Sequence, residues 1–225
     1  MSKINSNFKL AIVVLTILAT TISSAQNQSL SDFIPEGYVL FAQYSGDLNN
    51  DNLEDCILII KDTKDENVIT NRFDKEVDRN RRGIIVLLSK VDSYVVVVKN
   101  LDCFTSENED GGVYYAPELW IDIEKGNLKI NYSHGRYGFW QYIFRYNKSD
   151  FELIGYESSE NHGPVVIHKT SINFLTKKKL ISENTYTNLE DDPEIFKETW
   201  VKIKIANLIK LSEIQDFQNI DLTKY

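Results

Sequence analysis

The stretch YVLFAQYSGDLNNDNLEDCILII, residues 38–60, decides how we expect this chain to fold. Residues 38–44 are rich in aromatic and branched side chains, and residues 56–60 form an uninterrupted apolar run. Both patterns are typical of β-strands, and the second predicts a central strand that is buried on both faces. A polar loop joins the two segments, so the stretch predicts a strand, a loop and a second strand.

The connecting loop carries oxygen-bearing side chains at alternating positions. Positions 1, 3, 5 and 9 are Asp47, Asn49, Asp51 and Asp55, and Leu53 at position 7 can contribute a main-chain carbonyl. Calcium takes about six to eight oxygen ligands, and this spacing lets a short loop surround one ion. The loop therefore predicts a calcium site, with calcium as the cofactor. The alternative is a plain Asn/Asp-rich turn, because these side chains also hydrogen-bond their own backbone.

Two positions distinguish the loop from an EF-hand. An EF-hand has Gly at position 6 and Glu at position 12, whereas Asn52 and Leu58 occupy those positions here. Asn tolerates a positive φ better than most residues. We therefore expect Asn52 to make the sharp turn in place of glycine.

Strand patterns recur along the rest of the chain. They lie at residues 83–88, 94–98, 119–123, 128–132, 139–146, 151–156, 165–168, 170–174 and 180–181. Short polar or glycine-containing turns separate most of them, which favours antiparallel meanders. The predicted fold is all-β, propeller-blade-like or a sandwich, with a short C-terminal helix within residues 198–217. We expect a single domain over residues 26–225, which can divide into sub-sheets at 34–103 and 113–225.

The N-terminus has the pattern of a secretory signal peptide. Lys3 and Lys9 precede an apolar run at residues 10–19, and small residues end at Ala25. We predict a signal peptide at residues 1–25, and hence an exported protein that is periplasmic or secreted. An uncleaved anchor helix is the alternative. No later run is apolar enough to predict a transmembrane segment.

The charge of the chain argues against one class of partner. The net charge is −8, and signal cleavage would make it −10 because it removes two lysines and no acidic residue. Such a surface repels phosphate backbones, so we expect no nucleic-acid partner.

The two cysteines, Cys56 and Cys103, predict a disulfide. An even number of cysteines in an exported chain favours pairing, and this bridge would tie the end of the loop to a distant segment. The alternative is a pair of buried free thiols, since a free cysteine packs like a small apolar residue.

Two groups of residues are candidates for ligand binding. The first is the glycine-containing segment with His134, Arg136, Tyr137 and Trp140, which offers a base, an anion-binding group and two rings for stacking. The second is the cluster at residues 79–82, with three arginines in a charged segment at residues 61–82. The alternatives are a hairpin that buries its rings and a solvated loop with internal salt bridges.

No sequence motif indicates a known catalytic machinery. The chain has no nucleophile elbow, phosphate-binding loop or dinucleotide fingerprint. We therefore expect a binding or structural module with a protein or glycan partner, rather than an enzyme. The alternative is a secreted carbohydrate-binding protein or hydrolase that uses His134, Arg136 and Trp140.

Residues 46–55 resemble the calcium loop of integrin-α-type FG-GAP or VCBS repeats, in which alternating Asp and Asn residues lie between two strands of a propeller blade. The resemblance implies that Asp47, Asn49, Asp51, the Leu53 carbonyl and Asp55 hold the ion. More broadly, the segments at residues 78–83, 144–146, 150–155 and 171–176 are similar to those of uncharacterised exported proteins of Bacteroidetes-type bacteria. That resemblance implies a compartment and no activity.

Overall fold

The computed structural model describes residues 29–111, 114–185, 195–222 and 224–225. The predicted signal peptide at residues 1–25 lies outside the described residues. Within the described part of the chain the secondary structure is dominated by β-strands. Their bounds are β1 Tyr38–Gly46, β2 Asp55–Asp62, β3 Val68–Thr70, β4 Glu76–Asp78, β5 Arg82–Lys90, β6 Ser93–Phe104, β7 Asp110–Gly111, β8 Tyr114–Tyr115, β9 Glu118–Glu124, β10 Asn127–Ser133, β11 Gly138–Asn147, β12 Asp150–His162, β13 Val165–Asn173, β14 Lys178–Asn184 and β15 Phe196–Lys202.

Helical structure is confined to short 3-10 turns in the described residues. They are Leu30–Phe33, Asp65–Asn67, Gly135–Tyr137, Leu211–Glu213 and Phe217–Asn219. The last two correspond to the predicted short C-terminal helix, so the predicted all-β fold with a helical end is confirmed.

Two antiparallel sheets form the body of the protein. The first has the strand order β1-β2-β5-β6, and the second has the order β15-β14-β13-β12-β11-β10-β9. In both sheets almost every strand pairs with its neighbour in sequence, as the meander prediction requires. Two small hairpins, β3-β4 and β7-β8, are attached outside them.

The facing sides of the two sheets share one hydrophobic core, which is the arrangement of a β-sandwich. Ile57, Ile84 and Val86 of the first sheet belong to the same buried cluster as Phe144 and Leu153 of the second. The outer face of the first sheet has a smaller cluster that the N-terminal turn covers, with Phe33 packed against it. Strand β2 is therefore buried on both faces, as its apolar sequence predicted.

The C-terminal segment completes the core between the sheets. Leu211, Ile214 and Phe217 are buried, and the Phe217 ring stacks on Phe104 of β6 at 5.0 Å between centroids. The Asn100 amide donates to the carbonyls of Leu211 and Ile214 at 3.0 and 2.7 Å. These bonds tie the segment to the first sheet while its apolar side chains fill the core.

The predicted disulfide between Cys56 and Cys103 is wrong, because both cysteines are buried free thiols. Strand β5 separates β2 from β6, which places the two backbones about 10 Å apart, beyond the reach of a disulfide at about 7 Å between Cα atoms. The side chains also contact different clusters, Cys103 the shared core and Cys56 the outer cluster. Burial raises the pKa of both thiols, that of Cys56 to about 11, which keeps them protonated.

Three segments differ from the sequence prediction. Residues 61–82 contain the hairpin β3-β4 rather than a simple loop. The strands predicted at residues 165–168 and 170–174 are one strand, β13. Strand β15 was not predicted, because its residues are exposed or half-buried and show no alternation.

No helix in the described residues is long and apolar enough to cross a membrane.

Gly138 is a position where the fold requires glycine. Its φ is 113°, and a Cβ atom there would lie 1.8 Å from the Ser159 carbonyl oxygen. We expect Gly138→Ala to lower the free energy of unfolding by about 3 kcal/mol, since it combines backbone strain with a clash against the neighbouring strand. Urea denaturation measures this loss.

The matched control is Gly163→Ala. Gly163 also has a positive φ, of 62°, but a Cβ atom there would meet nothing within 4 Å. Gly163→Ala should lower the free energy of unfolding by only about 1 kcal/mol. Equal losses at the two positions would show that β11 and β12 do not approach each other this closely.

Candidate metal centre and adjoining groove

Asp47 organises the loop at residues 47–55 through its carboxylate. Oδ1 accepts hydrogen bonds from the backbone N–H groups of Asn49 and Asp51 at 3.3 and 3.2 Å, and Oδ2 accepts from Asn52 at 2.9 Å. Asn50 and Asn52 have φ values of 61° and 65°. The expectation that Asn52 supplies the sharp turn is thus confirmed.

Asn49 and Asp51 lie together on the loop. The Asn49 amide donates to Asp51 Oδ2 at 2.9 Å, and the backbone N–H of Leu53 donates to Asp51 Oδ1 at 2.9 Å. The Leu53 and Asn49 hydrogen bonds lower the pKa of Asp51, so its carboxylate is charged at neutral pH. The side-chain oxygens of Asp47, Asn49 and Asp51 are linked through shared hydrogen bonds.

Asp55 does not join this group, because its side chain points into the protein. It is fully buried, and its two oxygens accept hydrogen bonds from Leu48 N and Ser89 N, both at 2.8 Å. Burial raises the pKa of Asp55, the two N–H donors oppose that shift, and the nearby Asp51 and Asp47 charges reinforce it. Asp55 therefore holds the start of the loop against the end of β5.

The loop also connects the two sheets. Leu48 is 1% exposed and belongs to the shared core. A Cβ atom on Gly46 would lie 2.9 Å from Ile123 of β9, and one on Gly126 would lie 2.4 Å from the Asn50 amide. The loop thus packs against the β9–β10 hairpin, at one end of the line where edge strands β1 and β9 run side by side.

In the described residues no three His, Cys, Asp or Glu side chains lie close enough together to hold a metal ion. A cation at the loop would need Asn49 and main-chain oxygens such as the Leu53 carbonyl beside Asp47 and Asp51. Hard cations accept such mixed oxygen ligands, and waters complete their coordination.

Three of the four residues predicted as a ligand group line one cavity. A cavity of about 400 Å³ is lined by His134, Arg136 and Tyr137 together with Tyr115 and Glu118. His134 Nε2 donates to the Tyr115 carbonyl at 3.1 Å, since a carbonyl only accepts.

Trp140 lies elsewhere and is not among the residues that line this cavity. Its ring stacks on Tyr132 at 5.1 Å between centroids and packs against the shared core. It matches the alternative of a hairpin that buries its rings.

A second cavity, which sequence reasoning missed, lies beside the first. It has a volume of about 420 Å³, and its lining includes Phe41, Arg82 and Trp120; both cavities share Ala116 and Glu118. Phe41 lies at a β-bulge of β1, and its ring centroid is 5.0 Å from Arg82 Cζ. Bulges often redirect a side chain in this way.

The sequence does contain one signal for this second cavity. Lys61 and Arg82 adjoin the buried apolar runs of β2 and β5, are paired in register and are only 6% and 3% exposed. Charges are seldom buried to this extent without partners. The partners of Lys61 are the carboxylates of Asp78 and Glu107, whose oxygens lie 2.9 and 2.5 Å from Nζ.

The other arginines of the cluster at residues 79–82 form ion pairs. Arg79 contacts Asp110 at 2.8 Å, and Arg81 bridges Asp102 and Asp216 at 2.6 and 3.1 Å. Arg81 thereby fixes the C-terminal segment. Only Arg82 of the three lines either cavity.

Comparisons with protein-family models, with curated proteins and with solved structures give no match to this chain. The resemblance of the loop to FG-GAP repeats, and that of the chain to exported Bacteroidetes-type proteins, stay predictions.

Among the loop residues, we expect substitution of the buried Asp55 to lower the stability of the fold most. We expect Asp55→Ala to lower the free energy of unfolding by about 3 kcal/mol, because it leaves the N–H groups of Leu48 and Ser89 without an acceptor. Asp51→Ala, at an exposed carboxylate of the same loop, is the matched control and should change stability little in the absence of calcium. Chemical denaturation in the presence of a chelator compares them, and similar losses would contradict the inward role of Asp55.

Proposed function

We propose that this chain is an exported, non-enzymatic β domain that acts as a binding or structural module, and that calcium at residues 47–55 stabilises it. The observation that carries the calcium proposal is the grouping of Asp47, Asn49 and Asp51 around shared hydrogen bonds, with two carboxylates on a tight turn. Backbone and amide N–H groups neutralise those carboxylates only in part, and a divalent cation would do so more completely.

The ligand set differs from the one that the FG-GAP resemblance implies. Asp47, Asn49, Asp51 and the Leu53 carbonyl would face the ion, whereas Asp55 would support the loop from inside through Leu48 and Ser89. Few protein ligands and several waters give weak binding, as in extracellular calcium modules with dissociation constants of about 0.1–1 mM. Such affinity suits a periplasmic or secreted protein.

A protein or glycan is the proposed partner, and the two adjoining cavities support a ligand-binding role. Buried apolar surface, exposed rings and a few polar groups are the usual features of a ligand site. Among the described residues His134 has no carboxylate hydrogen-bond partner to orient it as a base. We therefore favour binding over hydrolysis.

Calcium should raise the melting temperature of the purified protein. At about 10 mM calcium we expect an increase of roughly 5 °C over protein in chelator, because a ligand that binds only the native state stabilises it by mass action. Asp51→Ala should abolish the increase. Differential scanning calorimetry makes the measurement.

Two controls separate the loop from general charge effects. Asp122→Ala removes an exposed carboxylate of β9 outside the loop and should leave the increase intact. Magnesium should stabilise less than calcium, since it requires stricter octahedral geometry. An unchanged melting temperature in calcium, or the same increase in Asp51→Ala, would reject the site.

A further inference from the structure

The second cavity lies where the two edge strands β1 and β9 run side by side, at the end remote from the loop. Gly46 contacts Ile123 near the loop, while Phe41 of β1 and Trp120 of β9 flank the cavity of about 420 Å³ further along. Arg82 and Glu107 come from the first sheet and the segment that follows it. Because elements from both sheets line the cavity, the packing of the sandwich positions its side chains.

Arg82 is a buried cation with unused donors. It is 3% exposed, and its Nε donates to the Thr105 carbonyl at 2.9 Å. Its closest carboxylate oxygen is Glu107 Oε2, 3.8 Å from Nε, which is an ion pair but no hydrogen bond. Among the described residues neither Nη group has a hydrogen-bond partner. Two parallel N–H donors of a guanidinium match the two oxygens of a carboxylate.

The rings beside Arg82 offer flat apolar surface. Phe41 is 42% exposed and Trp120 is 41% exposed, so a ligand has access to both. Aromatic faces of this kind bind the apolar C–H face of a sugar ring, and Trp is enriched at binding surfaces for the same reason.

Acidic groups in the cavity limit the charge of the ligand. Glu107 Oε2 is buried and has no hydrogen-bond partner among the described residues, and Glu118 also lines the cavity. Carboxylate oxygens accept hydrogen bonds from hydroxyl groups and repel additional negative charge. The cavity therefore suits a ligand with one carboxylate and several hydroxyls better than a phosphate or a sulfated chain.

We infer that this cavity binds a hexuronic acid residue of a glycan, with its carboxylate on Arg82, its hydroxyls on Glu107 and Glu118, and its ring against Trp120 and Phe41. The inference rests on the proposed role of the domain as a binding module and is independent of the calcium site. It differs from the alternative that the sequence offered, a carbohydrate-binding protein or hydrolase that uses His134, Arg136 and Trp140.

Isothermal titration calorimetry of the purified protein tests this site. Glucuronic and galacturonic acid should bind with millimolar affinity, and glucose and inorganic phosphate at least tenfold more weakly. Trp120→Ala should weaken hexuronate binding by at least tenfold, or about 1.4 kcal/mol. Arg82→Lys keeps the charge but loses the paired donors, so it should reduce the preference for hexuronate over glucose.

Matched variants keep the test decisive. Trp200→Ala removes another exposed tryptophan, on edge strand β15, and should leave binding unchanged. Arg136→Ala probes the neighbouring cavity, so loss of hexuronate binding in this variant would place the ligand there instead. If Arg82→Lys does not fold, Trp120→Ala still tests the site.

The inference is overturned by absence of hexuronate binding, by equal binding of glucose or phosphate, or by loss of binding in Arg136→Ala with retention in Trp120→Ala. These titrations are run with calcium and with chelator. Hexuronate binding that is the same with calcium and with chelator supports the cavity as a hexuronate site even if the loop binds no metal. The two proposals can therefore fail separately.

Discussion

The structure depends on the buried carboxylate of Asp55, which joins three parts of the chain. It lies at the start of β2, accepts the backbone N–H of Leu48 in the loop and accepts that of Ser89 near the end of β5. With Leu48 held this way, its side chain enters the core that both sheets share. A residue whose spacing predicts a metal ligand thus serves first as an internal acceptor. Taking this charge out of water is tolerable only because both of its oxygens are hydrogen-bonded.

The contact between β1 and β9 is tightly packed beside the anchored loop and opens further along. Close approaches at Gly46 and at Gly126 leave no room for larger side chains near the loop. Further along, the bulge at Phe41 opens the contact into a cavity over Arg82. The loop at residues 47–55 and the second cavity therefore lie at two ends of one line of packing.

Much of the fold follows from sequence patterns, but the parts that depend on tertiary position do not. The apolar run of β2 and the alternation in β9 and β10 are local signals, and all three strands form where predicted. Strand β15 gave no signal because its residues, including Trp200, are largely exposed. Whether Cys56 can pair with Cys103 depends on the order of the strands and on the face of the sheet that each side chain occupies. The sequences of two isolated segments reveal neither. The grouping of Asp47, Asn49 and Asp51 follows from their spacing along a short loop. The inward orientation of the Asp55 side chain depends on a hydrogen bond from Ser89, which is 34 residues away in the sequence.

The most direct test of this account is hydrogen exchange at the backbone amides of Leu48 and Ser89, followed by NMR. If the Asp55 carboxylate holds both, their amides should exchange only through global unfolding, with protection equal to that of the core amides of β2. Exchange as fast as that of Val91, a turn residue that is 90% exposed, would show that Asp55 does not anchor the loop and would contradict the account.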